Sequence, residues 1–130
     1  MVSGKGKQLC PCQCHPDLSW MRFPNNIAPG DVDYEVERMG RFLRIEWKGR
    51  GEELPIGQRR LLEALSKLDE FTVILCQGDS EGNIASFQQI YRGEGVEVEK
   101  TSREHFNSCL DNWFRKVNNH LYGGKFHADC

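Results

Sequence analysis

Val32-Asp33-Tyr34-Glu35-Val36-Glu37, then Arg38-Met39-Gly40-Arg41, then Phe42-Leu43-Arg44-Ile45-Glu46-Trp47-Lys48, is the stretch whose reading decides the fold. Val32, Tyr34 and Val36 alternate with acids, which is the period of a strand with one buried face. Leu43, Ile45 and Trp47 alternate with Phe42, Arg44, Glu46 and Lys48 in the same way. A loop from Arg38 to Arg41 joins the two as a hairpin. Register follows from matching the apolar faces, because a slip of one residue turns every side chain over. Glu37 then faces Phe42, Val36 faces Leu43, Tyr34 faces Ile45 and Val32 faces Trp47. On the other face Glu35 meets Arg44, and Asp33 meets Glu46.

Outward from the hairpin, Gly49-Arg50-Gly51-Glu52-Glu53 leads to a helix beginning near Pro55, with Leu61, Leu62, Leu65 and Leu68 as its apolar stripe. Phe71 to Cys76 is a continuous apolar run, suited to a strand covered on both faces and reached by a crossover helix. Ile84 to Tyr91 and Val96 to Val98 read as further strands. Thr101-Ser102-Arg103-Glu104 has the form of a capping box before a second helix carrying Phe106, Cys109, Leu110, Trp113, Phe114 and Val117. The expected fold is a small α/β domain: a mixed sheet of N-terminal hairpin, crossover helix and central strand, flanked by helices. Residues 1–30 form a separate irregular segment, and 31–130 the α/β domain.

With 130 residues, 38% hydrophobic and 28% charged, the chain is sized for one globular domain. Its 17 Lys+Arg against 19 Asp+Glu give −2, which argues against a wholly basic nucleic-acid coat. No apolar run reaches the length of a membrane span and the first residues lack the apolar core of a signal peptide, so a cytoplasmic location is expected. Trp20 and Phe23 are expected to anchor the N-terminal segment. Among six cysteines, Cys76 and Cys109 fall in apolar patterns as small core residues. Cys10, Cys12, Cys14 and His15, with His127 and Cys130, are either a structural Zn²⁺ site or reduced thiols on a tail.

The Asp33–Glu46 pair carries the chemistry. Carboxylates directly across a ladder stand about 5 Å apart at Cβ and repel. A divalent cation, Mg²⁺ or Mn²⁺, removes that repulsion, and Mg²⁺ takes one or two carboxylates with water and phosphate. Lys48 shares the face of Glu46, where its ammonium can meet a phosphate or a nucleophilic water. Gln58 precedes the helix stripe on the sheet side and can orient a water or the Lys48 amine; a first-turn glutamine filling orphan hydrogen bonds is the other reading. The alternative for the whole face is a solvated hairpin surface of mixed charge. Charge along the chain favours the metal: seven bases (Arg38, Arg41, Arg44, Lys48, Arg50, Arg59, Arg60) against three acids follow directly on the acidic strand. Arg41, Arg44, Arg50, Arg59 and Arg60 are the candidate DNA phosphate contacts.

Asp33, a glycine-containing hairpin and Ile45-Glu46-Trp47-Lys48 resemble the core of PD-(D/E)xK nucleases. The continuation Gly49 to Gln58, with the hydrophobic strand after it, is similar to the VRR nuclease branch. The resemblance runs from Gly30 to about Cys76 and implies a restriction-endonuclease-like core. It implies that Asp33, Glu46 and the Trp47 carbonyl bind Mg²⁺, that Lys48 positions or activates the attacking water, and that Gln58 holds the arrangement. The resemblance further implies hydrolysis of DNA phosphodiesters, with branched DNA as the candidate substrate and a homodimer as the candidate form, and the host cytoplasm as location if the chain is phage-encoded. Two departures stand beside it: Val32-Asp33 replaces the usual Pro-Asp, and no upstream helix offers a further acid, for which Asp31 or Glu35 are substitutes. A catalytically silent nuclease fold, binding nucleic acid or protein, is the alternative function.

Overall fold

The computed structural model describes residues 17, 18, 20, 21, 23–27, 32–122, 125 and 126. The chain divides into two compact units, Met1–Asp33 and Tyr34–Cys130. In the first, Pro24–Asn26 makes a 3-10 turn with Asn25 left-handed at φ 63°. Trp20 and Phe23, expected as anchors, are exposed. The zinc candidates Cys10, Cys12, Cys14, His15, His127 and Cys130, and Asp31, lie outside the described residues.

The second unit is a mixed α/β fold of six strands and two helices. The strands are β1 (Tyr34–Arg38), β2 (Arg41–Gly49), β3 (Phe71–Gly78), β4 (Ile84–Tyr91), β5 (Glu94–Gly95) and β6 (Glu99–Lys100). The helices are α1 (Ile56–Ser66) and α2 (Arg103–Asn118). The sheet order is β1-β2-β3-β4-β5, with β6 also on β4. Only β2 and β3 run parallel, and α1 is their crossover. β3 lies inside the sheet, and Val73, Ile74, Leu75 and Cys76 are all buried, as its unbroken apolar run requires. Among the described residues no helix is long and apolar enough to cross a membrane.

The hairpin register is the expected one: Glu37↔Phe42, Val36↔Leu43, Glu35↔Arg44 and Tyr34↔Ile45. Its loop is shorter than expected. Arg38 pairs with Arg41, leaving a two-residue turn in which Met39 (φ 54°) and Gly40 (φ 78°) are both left-handed, the requirement of a type I′ turn. The strand also starts later, at Tyr34, and neither of its faces is buried. It is the sheet edge, where Tyr34 and Val36 stay exposed and Glu35, Glu37 and Arg38 discourage further pairing.

Two cores sit on opposite faces of the sheet. Leu43, Ile74, Cys76 and Phe87 pack against Phe106, Cys109, Trp113 and Val117 of α2, and against Phe126. Leu62 of α1 packs against Val73 and Ile90, with Leu54, Leu65 and Phe71 around them. Leu61 and Leu68, expected in the α1 stripe, are exposed, Leu68 because the helix ends at Ser66. The cap of α2 is Ser102 rather than Thr101: its Oγ accepts the His105 N–H at 3.1 Å. Val96 to Val98 forms no strand of its own but links β5 to β6. Cys109, expected as a free core thiol, is disulfide-bonded. Cys76 is a free core thiol as expected.

Gly78 ends β3 at a register shift in its pairing with β4. A Cβ there would lie 2.3 Å from the Asn83 carbonyl oxygen and 2.4 Å from the Trp47 ring. Gly78→Ala is expected to destabilise the fold by about 1–3 kcal/mol, read as a lower urea midpoint at unchanged slope.

Burial pushes the Cys76 thiol from 9.0 up to about 12. Between these two values the unfolded chain releases a proton that the folded chain keeps, so this thiol makes stability fall as pH rises. The slope approaches about 1.4 kcal/mol per pH unit. Urea titrations at successive pH values above neutral are expected to show a shallower decline for Cys76→Ala than for the wild type.

Candidate functional site

Alternation along β2 sends Leu43, Ile45 and Trp47 to the α2 face and Phe42, Arg44, Glu46 and Lys48 to the α1 face. Near the amino end of β2, Phe42 stacks on Phe71 with centroids 4.9 Å apart and planes at 14°. Arg44 comes next, buried, and forms an ion pair with Glu35 across the β1–β2 ladder. Glu46 follows at 3% exposure, and Lys48, partly buried, follows Glu46. An apolar stripe thus gives way to ionic groups toward the carboxyl end of the strand, where α/β sheets ordinarily hold their ligands.

The turn after β2 brings α1 back over this face. Glu52 N–H donates to the Gly49 carbonyl at 3.1 Å, and Gly49 N–H donates to Glu52 Oε1 at 2.8 Å. Gly51, at φ 78°, occupies the third position of this turn, where a type II turn needs glycine. α1 starts at Ile56 with no side-chain cap and no acid in its first turn. Its third residue is Gln58, whose Nε2 donates to Glu46 Oε2 at 2.5 Å. The structure therefore joins Glu46 and Gln58 directly and sets Lys48 two residues along the same face. The sequence placed Gln58 toward the sheet; that its amide meets the carboxylate itself, rather than the lysine, is decided by the crossover.

Asp33 belongs to the first unit and immediately precedes β1. The ladder ends at Tyr34↔Ile45, one step short of the expected Asp33–Glu46 pair. Glu35, a candidate substitute acid, is occupied by Arg44. Among the described residues no three His, Cys, Asp or Glu side chains are grouped to hold a metal ion. Of Glu46, Gln58 and Lys48 the carboxylate is the group suited to ligate Mg²⁺, so an ion held here would take the rest of its shell from a further acid, water and a substrate phosphate.

The five arginines expected at phosphate sort by their surroundings. Arg44 is committed to Glu35, and Arg59 pairs with Glu63 one turn along α1 at 3.2 Å. Arg41 donates to the Asp69 carbonyl at 2.9 Å and lies 3.8 Å over the Tyr122 ring. Arg50 and Arg60 are exposed. Arg50 also stands near Asp79, whose carboxyl is held below its usual range by hydrogen bonds from the Asn83 side chain and backbone, with a smaller contribution from the Arg50 charge. Sequence reasoning missed Gln77 and Ser86. Register puts Gln77 beside Lys48 on β3 and Ser86 opposite Gln77 on β4, extending the polar patch across three strands. The signal was present in Leu75-Cys76-Gln77, where the apolar run stops on the α1 face one residue before it stops as a whole.

Compared with known proteins by sequence and by structure, the chain matches no family model, no curated protein and no solved structure.

Gln58→Ala removes a donor to a carboxylate that is almost wholly buried. A loss of about 1–3 kcal/mol in unfolding free energy is expected by chemical denaturation. The exposed Arg60→Ala, made as a control, is expected to stay within about 0.5 kcal/mol of the wild type.

Proposed function

We propose that the protein is a divalent-metal-dependent endonuclease that hydrolyses DNA phosphodiester bonds, with Glu46, Lys48 and Gln58 on the α1 face of the sheet and Asp33 as the second acid. The observation that carries this is the hydrogen bond from Gln58 of the crossover helix to the buried Glu46, with Lys48 two residues along the same face. The resemblance to PD-(D/E)xK nucleases implies that Gln58 holds the arrangement of Asp33, Glu46 and Lys48, and this contact supports that reading. When bound, Mg²⁺ or Mn²⁺ supplies Lewis acidity and a nucleophilic hydroxide at neutral pH.

The chain's own residues supply the rest. Gln58 holds one carboxylate oxygen of Glu46 in place, so the acid does not reorganise when charge arrives. Lys48 presents a cation to the phosphate and stabilises the charge that develops on its oxygens. The first turn of α1, free of acidic residues, adds the positive end of a helix dipole on the same side. Arg50 and Arg60, exposed on either side of the Gly49–Glu52 turn and the helix start, are the proposed phosphate contacts. A homodimer acting on branched DNA is the proposed form, taken from the resemblance to the VRR nuclease branch.

A second reading rests on the same carboxylate. At 3% exposure and bonded to Gln58, Glu46 also has the surroundings of a satisfied structural acid, which fits a silent nuclease fold that binds without cleaving. Incubation with linear, nicked and four-way DNA and Mg²⁺ or Mn²⁺ separates the two. Metal-dependent cleavage is expected, abolished by Glu46→Ala and by Asp33→Ala, and reduced by about 10²–10⁴ in Lys48→Ala. Absence of cleavage on every substrate by the folded, metal-supplemented protein overturns the nuclease. DNA binding that needs no metal and survives Glu46→Ala then establishes the silent module.

A further inference from the structure

At the amino ends of β2 and β3, away from the Glu46 end of the sheet, the second unit holds a cavity of about 490 Å³. It lies where β3 begins and β4 ends, and α2 with the residues after it form one wall. Its size falls within the range of small-molecule sites. Five basic side chains line it, Arg41, Lys67, Arg92, Lys116 and Lys125, against two acids, Asp69 and Glu70. A local excess of three positive charges is unusual in a chain whose total is −2. Lys67, Arg92 and Lys125 form no ion pair among the described residues.

The polar groups deeper in the cavity are donors. Gln89 is 3% exposed; its Oε1 accepts the Phe126 N–H at 2.7 Å, and its amide nitrogen has no hydrogen-bond partner among the described residues. A buried amide N–H₂ lining a cavity without a partner is costly unless a ligand or water meets it. Thr72 accepts from Trp113 Nε1 at 3.3 Å, which leaves its own hydroxyl proton to donate. Arg41 is held in advance between the Asp69 carbonyl and the Tyr122 ring. Trp113 and Tyr122 add aromatic surface to the lining. Cations at the rim, aromatic walls and donors without acceptors call for a planar ring that accepts hydrogen bonds and carries an anionic group.

We propose that this cavity binds an aromatic phosphate of nucleoside-monophosphate size. The ring lies among Trp113, Tyr122 and the Gln89 and Thr72 donors, and the phosphate meets Arg92 and Lys67, where charge-assisted hydrogen bonds are strongest. Nothing in the site depends on Glu46 or on nuclease activity.

The probe is AMP, titrated into the full chain and followed by calorimetry and tryptophan fluorescence. Saturable binding with a Kd of about 1 mM or tighter is expected. Adenosine and inorganic phosphate alone are expected to bind at least about tenfold more weakly, since each lacks one of the recognised halves. The double variant Lys67→Glu, Arg92→Glu changes two surface-reaching side chains and should keep the wild-type circular dichroism while weakening AMP about tenfold or more. Glu46→Ala should leave AMP affinity unchanged, which keeps this site separate from the nuclease. The proposal is overturned if the folded wild type shows no saturable AMP binding. It is equally overturned if phosphate alone binds as tightly as AMP, if the double variant binds normally, or if folded Glu46→Ala loses the affinity.

Discussion

The parallel pairing of β2 with β3 is the constraint from which the rest of the second unit follows. Two parallel neighbours cannot be joined by a tight turn, so the chain must cross the sheet between Gly49 and Phe71, and it does so as α1. A crossover helix occupies one face and leaves the other to be covered by something else. Here α1 takes the face of Phe42, Arg44, Glu46 and Lys48, and α2 takes that of Leu43, Ile45 and Trp47. The division explains why the two cores differ so much in size. The α2 face joins nine buried apolar residues, including Phe87, Phe106 and Phe126, while the α1 face joins three.

The smaller core reflects what β2 places there. Burying ionic groups under a helix is unfavourable unless each finds a partner. Arg44 has Glu35 from the neighbouring strand, and Glu46 has Gln58 from the helix itself. The two solutions differ in consequence. An arginine bound to an opposite charge in the ladder is neutralised and no longer available to phosphate. The Gln58 amide brings no charge of its own, so this contact is a hydrogen bond and not an ion pair. One strand therefore carries an ion-paired arginine and an amide-bonded carboxylate separated by a single intervening residue, Ile45.

The two ends of the parallel pair also divide the basic residues. Arg50 and Arg60 accompany the carboxyl end with Glu46 and Lys48, whereas Arg41 lies at the amino end in the cavity with Lys67 and Arg92. Arg41 is near Arg44 in sequence, yet alternation and the ladder direction take one to the cavity and the other to Glu35. A run of bases that reads as one phosphate-binding margin is spread over both ends of the parallel pair, with two of its members in internal ion pairs.

By itself the sequence determined the local elements and their register. Alternation in Tyr34–Val36 and Leu43–Trp47 sets the parity of the hairpin pairing, because the opposite parity would put charges on the apolar face, and the unbroken run from Phe71 marks the strand covered on both faces. The turn was misjudged by two residues because Met39, a side chain that seldom takes positive φ, adopts it beside Gly40. What periodicity does not contain is which elements cover which face. That Val36 lies on an exposed edge strand, that Gln58 meets Glu46 rather than Lys48, that Cys109 is bonded rather than free, and that Gln89 lines a cavity with bases drawn from five separate places in the chain were decided only by the tertiary structure. Each depends on contacts between residues far apart in the chain, which become neighbours through the crossover and the packing of α2, and no local pattern records that distance.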